Sequence, residues 1–361
     1  MTTHNGTLTR SLTEPVDRLI DDIVNNNYAF IHLTDSKGVM GSNSFIKTAY
    51  LNTAVRERAV VLAKAGYYVY RVVDGVARFV HEEYIPSLWH LVKDGTYKKS
   101  EEGLIYNLEA PIAGGPARNL VVVFSSISSD IFGNGLSRYF NQNYKSLYKY
   151  LPHDTAILRI ADIGGIVGSF YLNTQFAPKN TERIASLIES VRMDLSLDKD
   201  AVITYGASKG ATGALFHALA SGYKGVCVEP IVNDQYYETA YEDSHFTADG
   251  VFTDSKEAVF TKLLDRTNTS GASTSATPST SIVVIYSDQS PQAAYIDKII
   301  RSNPSSTLSL VNYRHPLIKD HPDVSPQSLN LVSMYMNMMC YGLPIEGGNH
   351  EFICEGPGSS T

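Results

Sequence analysis

Two rhythms of apolar and polar residues divide the chain. From about residue 103 onward, short apolar runs alternate with longer stretches whose apolar residues recur at helical spacing. The runs "GLIYNLEAPI", "RNLVVVFSSIS", "DTAILRIADIGG", "AVITYG", "GVCVEPIV", "SIVVIYS" and "TLSLVNYR" predict strands. Between them, "GLSRYFNQNYKSLYKYL", "TERIASLIESVRMDLSL", "ATGALFHALASG", "PQAAYIDKIIRSN" and "SPQSLNLVSMYMNMMCYG" predict helices. Strands taking turns with helices predict an α/β fold, with a mostly parallel sheet covered on both faces. The first two strands, joined across Gly114-Gly115-Pro116, fit an antiparallel edge hairpin.

Residues 1–100 follow a different rhythm and read as a small N-terminal α/β subdomain. "TAVRERAVVLAKAG" predicts a helix that stops near Gly66. "YYVYRVV" and "VARFV" then alternate around Asp74-Gly75, a hairpin signal, because a type I′ turn needs positive φ at both central residues. "IPSLWHLVKDGTYKKSEEG" reads as a connecting helix and polar linker. Residues 101–345 form the main domain, with an insertion at about 231–280, and 346–361 read as a flexible tail. Within the insertion, "NDQYYETAYEDSHF" reads as a lid or substrate-facing segment and "TNTSGASTSATPSTS" as a mobile loop.

Composition narrows the function class. The 361 residues are 43% hydrophobic and 19% charged, which is globular usage. No apolar run reaches the roughly 18 residues that a membrane span needs. The stretch "MTTHNGTLTRSLTEPVDRL" lacks an apolar signal-peptide core, so a cytoplasmic protein is expected. Three cysteines, far apart, argue against a disulfide framework or a zinc site, and no metal or cofactor is expected. A net charge of −7 without a basic block argues against nucleic-acid binding. The 23 tyrosines fit either a wet aromatic pocket or ordinary packing with hydroxyls outward.

The chemistry concentrates in "TYGASKGATGAL". Gly206-x-Ser208-x-Gly210 falls where a strand must turn sharply into a helix. This is the form of a nucleophile elbow: the serine projects from a strained turn and the glycines make room for the crossing. The Lys209 N–H and the helix N-terminus would then face a developing oxyanion. The plain alternative is a glycine-rich turn with an inert serine. A serine needs a base, and the base an orienting acid, in the chain order Ser, Asp/Glu, His. Asp288, at the exit of "SIVVIYS", is the first choice of acid, although it could equally cap the helix near Pro291; Glu229 and Asp234 are alternatives. Among the downstream histidines, His321 sits in the loop before the last helix and is preferred as base, with His315 the alternative and His350 set aside in the tail. The second oxyanion donor should follow "NLVVVF", at Ser126 or next at Ser125, unless these serines merely cap the following segment. "RIADIGGIVGSFYL" lacks nucleotide-loop spacing and reads as a pocket border, with Arg159, Asp162 and Tyr171 as substrate contacts. The methionines of "SMYMNMMCYG" read as core.

"VVVFSSIS", "ADIGGIVGSFYL" and "TYGASKGATGAL" together resemble the α/β-hydrolase superfamily. They are most like its members in bacterial capsular polysaccharide biosynthesis and, more distantly, like an accessory secretion protein of the same fold that modifies adhesin sugars. The likeness covers roughly residues 103–340, and the lysine after the serine is its most specific element. It implies a Ser208–Asp288–His321 triad, an acyl-enzyme, and a small-molecule or glycan acyl substrate. Water would resolve the intermediate in an esterase or thioesterase, and an alcohol or amine in an acyltransferase. Two further readings stay open: a non-catalytic scaffold in polysaccharide or glycoprotein assembly, and a lyase or cyclase in the same pocket.

Overall fold

A computed structural model describes residues 6–41, 43–243, 250–270, 281–302 and 307–354. The first part of the chain forms a four-stranded sheet from β1 (Thr7–Ser11), β2 (Phe30–Thr34), β3 (Tyr67–Val73) and β4 (Val76–His81), in the order β1-β2-β4-β3. The helix Thr53–Lys64 ends just before Gly66, at φ +78, and β3 turns into β4 through Asp74 and Gly75, at φ 51 and 70. Both positive values are what the type I′ hairpin requires.

The second sheet has nine strands: β5 (Lys98–Lys99), β6 (Ile105–Glu109), β7 (Asn119–Phe124), β8 (Thr155–Ile160), β9 (Val202–Ala207), β10 (Lys224–Val228), β11 (Ile282–Tyr286), β12 (Leu308–Arg314) and β13 (Gly348–Ile353). Their order is β13-β12-β11-β10-β9-β7-β8-β6-β5. β6 runs antiparallel to both β5 and β8, and every other neighbouring pair is parallel. From β5 to β12 this is the strand order of the α/β-hydrolase fold. Every residue of β7, β8 and β9 is buried, because helices cover both faces. Asn180–Asp194, Lys209–Ser221 and Lys256–Ser270 pack on the face of Leu120, Val122 and Phe124. Leu329–Cys340 packs Val332, Met336 and Met339 on the face of Val121 and Val123, so the methionines are core. Among the described residues no helix is long and apolar enough to cross a membrane.

The chain leaves β7 toward β8 on one side, while β9 lies on the other side of β7. The connections at the carboxyl ends of β7 and β9 therefore diverge, and a crevice opens there. The two sheets also share one apolar core. Leu62, Tyr68 and Phe79 of the small sheet's layer pack with Tyr139, Phe140, Ile166 and Val251 of the larger part. Polar contacts add to this: Ser44 Oγ donates to the Phe132 carbonyl at 2.6 Å, and the Phe45 N–H to Asn134 Oδ1 at 3.0 Å. Arg138, buried, donates to the Val69 carbonyl at 2.7 Å.

Four features differ from expectation. β6 and β7 do not pair as an edge hairpin, because β8 lies between them and pairs with both. "GLSRYFNQNYKSLYKYL" is not a helix but two short 3₁₀ turns, Leu136–Tyr139 and Leu147–Lys149. Asn141, Gln142 and Asn143 sit at its middle, where asparagine side chains compete for backbone groups, and Tyr144 takes a left-handed φ of 48. The expected tail is in part a strand: β13 pairs in parallel with β12, from Ser309–Gly348 to Arg314–Ile353. β12 would otherwise present an unpaired edge, and pairing satisfies it. The Ser/Thr-rich loop begins later than expected, since the helix from Lys256 runs to Ser270; residues 271–280, like 244–249 of the acidic segment and 355–361 of the tail, lie outside the described residues.

Candidate active site

Ser208 stands between β9 and the helix Lys209–Ser221 with φ 53 and ψ −122, a backbone conformation that an L residue holds only under constraint. The constraint is steric and comes from both glycines. A Cβ on Gly206 would run into the Gly210 backbone one turn later, and a Cβ on Gly210 would run into the Phe124 carbonyl at the end of β7. Glycine at both places lets β9, the helix and β7 close to backbone contact. The Ser208 N–H donates to the Val228 carbonyl at 2.8 Å, which ties the turn to β10 as well.

The serine hydroxyl lies 2.7 Å from His321 Nε2. His321 opens a short helix, His321–Gln327, that follows β12; Asp320 is its N-cap and accepts the His321 N–H at 2.7 Å. Burial of the ring pushes the imidazole down to about 4, with Asp320 pulling the other way. The ring is therefore neutral near pH 7, and in the tautomer with its proton on Nδ1, Nε2 accepts from Ser208. Nδ1 is buried and has no hydrogen-bond partner. Of the histidines after Asp288, His321 is the one that meets the serine. His315 lies apart, its Nδ1 accepting the Leu317 N–H at 3.1 Å.

Asp288 does not meet His321. Its carboxylate is held by Arg314, with Nε 2.8 Å from Oδ2, and this bond lowers its pKa. The strand exit that carries Asp288 points it along β12 toward that guanidinium, which captures it. Asp234 is also engaged, 2.6 Å from buried Lys256 Nζ. Glu229 is the carboxyl that remains. It follows β10 directly, at φ 52, and its N–H donates to the Ile285 carbonyl at 2.8 Å. One carboxyl oxygen, Oε2, accepts the Ser287 N–H at 3.2 Å; the other, Oε1, is buried without a partner. Burial pushes the acid up to about 8, against the pull of Ser290 and the Ser287 N–H.

The expected oxyanion donors are both engaged elsewhere. The Ser125 N–H donates to Tyr171 Oη at 2.5 Å, and the Ser126 N–H faces the Asn143 side-chain amide. The next residue, Ile127, lines the cleft and its N–H has no hydrogen bond in the described residues; the same holds for the N–H of Lys209 at the helix start. Ile127 does not stand out in the sequence, which marks small residues, whereas a free N–H depends on which donors the neighbours engage.

The three expected substrate contacts are structural. Arg159 is buried, with Nε 2.7 Å from Glu109 Oε1 and Nη1 donating to the Asn143 carbonyl at 2.8 Å. Asp162 accepts Lys209 Nζ at 2.7 Å, the Ser169 hydroxyl at 2.6 Å and the N–H groups of Phe170 and Tyr171 at 3.0 Å. Tyr171 Oη donates to the Ile160 carbonyl at 2.8 Å. Each of the three is taken up by interior partners, Arg159 on one face of the sheet and Asp162 and Tyr171 near the helix that follows Ser208. The Lys209 side chain is wholly buried with its Nζ on Asp162; burial lowers its pKa and Asp162 offsets part of that shift.

The cleft itself has a volume of about 520 Å³. Ser208, His321 and Glu229 line it together with Ile127, Ile131 and, from the helix Gln235–Tyr241, Tyr236, Tyr237 and Tyr241. Among the described residues no cluster of three or more His, Cys, Asp or Glu side chains could hold a metal ion.

No family model matches the chain, and no curated protein matches it. Solved structures do. The fluorophosphonate-binding serine hydrolase F of Staphylococcus aureus is 16% identical, over 66% of this chain and 96% of that one, with a TM-score of 0.43. The capsule O-acetyltransferase of Neisseria meningitidis serogroup A is 12% identical, over 66% and 93%, with a TM-score of 0.46. Dipeptidyl peptidase 4 of Porphyromonas gingivalis is 13% identical, over 75% of this chain and 42% of that one, with a TM-score of 0.41. The chain thus spans less than half the length of the peptidase. At these scores the fold assignment rests on strand order and on the elbow.

Two expectations test this site. Gly206→Ala must push the helix start away from β9, so denaturant unfolding should show a loss of about 1–3 kcal/mol or more. A wild-type midpoint would mean that the crossing is loose. Glu229 holds its proton to about 8 when folded and gives it up near 4.5 when unfolded. Unfolding therefore releases a proton between these values, and stability falls as pH rises through that window, by up to about 1.4 kcal/mol per pH unit. Glu229→Gln should flatten this slope, leaving Tm unchanged at pH 4 and raised at pH 8 to 9; equal shifts at both would place the carboxyl in water.

Proposed function

We propose that the protein is a serine-dependent acyl-transfer enzyme that works through an acyl-enzyme intermediate. The observation that carries this reading is the 2.7 Å contact between Ser208 Oγ and the neutral His321 Nε2, on a strained turn at the floor of an open cleft. Ser208 Oγ attacks the carbonyl carbon of a bound ester or thioester as its proton passes to His321 Nε2. The carbonyl oxygen becomes an oxyanion and takes the N–H groups of Lys209 and Ile127. Removing one such donor typically costs about 3 kcal/mol of transition-state stabilisation. The intermediate collapses when the leaving oxygen or sulfur takes the proton from Nε2. Water or an acceptor alcohol then repeats the sequence on the acyl-enzyme, with His321 as base and then acid, and frees Ser208.

The imidazolium formed in each half-reaction carries its second proton on Nδ1. A buried Nδ1–H without an acceptor would make that charge expensive. Glu229 is the acid we assign to it. It lines the same cleft and has a buried oxygen without a partner, whereas Asp288 and Asp234 are held by Arg314 and Lys256. As His321 gains charge in each half-reaction, a Glu229 carboxylate is favoured over the neutral acid.

Intact mass after treatment with a fluorophosphonate probe tests the nucleophile. One adduct is expected on the wild type and none on Ser208→Ala; a folded wild type without an adduct would favour a non-catalytic scaffold. Turnover of p-nitrophenyl acetate tests the acid. Glu229→Gln should lower kcat by about a thousandfold or more, the scale seen when a triad acid is neutralised, while Asp288→Asn stays within a few-fold of wild type. The reverse ranking would return the role to Asp288.

A further inference from the structure

Ser126 is half-buried and lines the cleft, and its N–H faces the Asn143 side-chain amide. Its hydroxyl reaches in another direction. Ser126 Oγ donates to the Ala207 carbonyl at 2.7 Å. The two residues joined in this way are neighbours of the two groups that acyl transfer needs. Ile127 follows Ser126 and carries an N–H without a hydrogen bond in the described residues; Ser208 follows Ala207 and carries the hydroxyl.

The backbone ladder does not extend to these groups. β7 and β9 pair in parallel from Leu120–Val202 to Phe124–Gly206, and the pairing stops there. Past that pair the two chains part around the crevice, and each enters its own turn. Ser126 lies two residues beyond the last pair and Ala207 one. The hydroxyl is thus a cross-link from the loop to the elbow outside the ladder.

The cross-link is braced from the sheet. Ser126 Oγ also meets the Asn143 side-chain amide. The Asn143 backbone carbonyl accepts Arg159 Nη1 at 2.8 Å, and Arg159 Nε lies 2.7 Å from Glu109 Oε1. Arg159 belongs to β8 and Glu109 to β6, so a line of contacts runs from two strands through Asn143 to Ser126 and across to the residue before the nucleophile. The preceding N–H, that of Ser125, is held by Tyr171 Oη at 2.5 Å. Two successive residues are therefore fixed by side chains from elsewhere in the fold, and the N–H that follows them is that of Ile127.

We infer that Ser126 is a positioning residue: its hydroxyl, braced by Asn143, sets the Ile127 N–H against Ser208, so that the oxyanion formed on the attacked carbonyl falls within reach of both donors. The inference rests on the acyl-transfer reading, and Ser126 acts in it through Ile127. The bond contributes little to folding, because a half-buried hydroxyl exchanges one hydrogen bond for another with water. Its effect on rate is larger, because a misplacement of about 1 Å at a reacting group costs on the order of a hundredfold.

Steady-state turnover of p-nitrophenyl acetate, with the urea unfolding midpoint of every sample, tests this. Ser126→Ala should lower kcat by about ten- to a hundredfold, with KM within about twofold of wild type and an unfolding midpoint close to it. Ser126→Thr keeps the hydroxyl and should recover most of the loss. Asn143→Ala should also lose rate, and combining it with Ser126→Ala should add no further loss; multiplied losses overturn the shared brace. Unchanged kcat in Ser126→Ala overturns the inference. So does an equal loss in Ser126→Thr, and so does a rise in KM at constant kcat, which would make Ser126 a substrate contact. Hydrogen exchange reads the cross-link without turnover: the amides of residues 126–128 should exchange about tenfold faster in Ser126→Ala than in wild type. A wild type that takes no fluorophosphonate adduct and turns over no ester sinks the acyl-transfer reading, whereas exchange left unaltered by Ser126→Ala sinks the cross-link.

Discussion

Everything at the candidate site depends on one crossing, where β9, the helix after it and β7 meet at backbone distance. Only glycine at 206 and 210 permits that approach. The serine between them is held at φ 53 and ψ −122. Strain of this kind costs on the order of 1–3 kcal/mol and persists because the surroundings over-determine it. Here the surroundings are wholly buried strands on both sides. The same closeness that strains Ser208 aims its hydroxyl at His321 and leaves the first N–H of the helix without a hydrogen bond beside it.

A second layer of polar contacts fixes how the crossing sits against the loop after β7. Lys209 reaches down to Asp162; Asp162 accepts the N–H groups of Phe170 and Tyr171, both at positive φ; and the Tyr171 hydroxyl meets the Ser125 N–H and the Ile160 carbonyl. The chain of contacts starts one residue after the nucleophile and ends two residues before Ile127. It therefore couples the positions of the two free N–H groups. Buried networks of this kind are costly if incomplete, and Asp162 is fully satisfied.

The fold and half of the site were legible in the sequence for a local reason. Strand runs, the Asp74-Gly75 hairpin and the Gly206-x-Ser208-x-Gly210 turn are each set by neighbours in the chain, so spacing alone reveals them. His321 was legible because its loop length and place after β12 gave it reach. What the sequence hid depends on pairings made across the fold. Nothing local shows that Asp288 pairs with Arg314 across the fold, nor that Glu229 keeps a buried oxygen without a partner. Arg159, Asp162 and Tyr171 carry functional chemistry on paper, yet their partners lie in the interior. The aromatic stretch 135–151 had helical spacing, but carbonyls of Asn143 and Tyr144 face the Arg159 guanidinium instead of continuing a helix.

The shared core of the two sheets bears on the order in which the molecule is made. Leu62, Tyr68 and Phe79 pack with Ile166 and Val251, residues far along the chain. During synthesis, which proceeds at about 5–20 residues per second, the first hundred residues emerge with much of their apolar surface lacking its cover. That surface waits for more than a hundred further residues before it closes. Contacts of such long range make folding slow and leave the nascent chain open to misassociation. The small sheet, although early in the sequence, then becomes fully buried only after strands β6 to β10 have been made, and the loop it clamps at Phe132 and Asn134, next to the cleft, is completed with it.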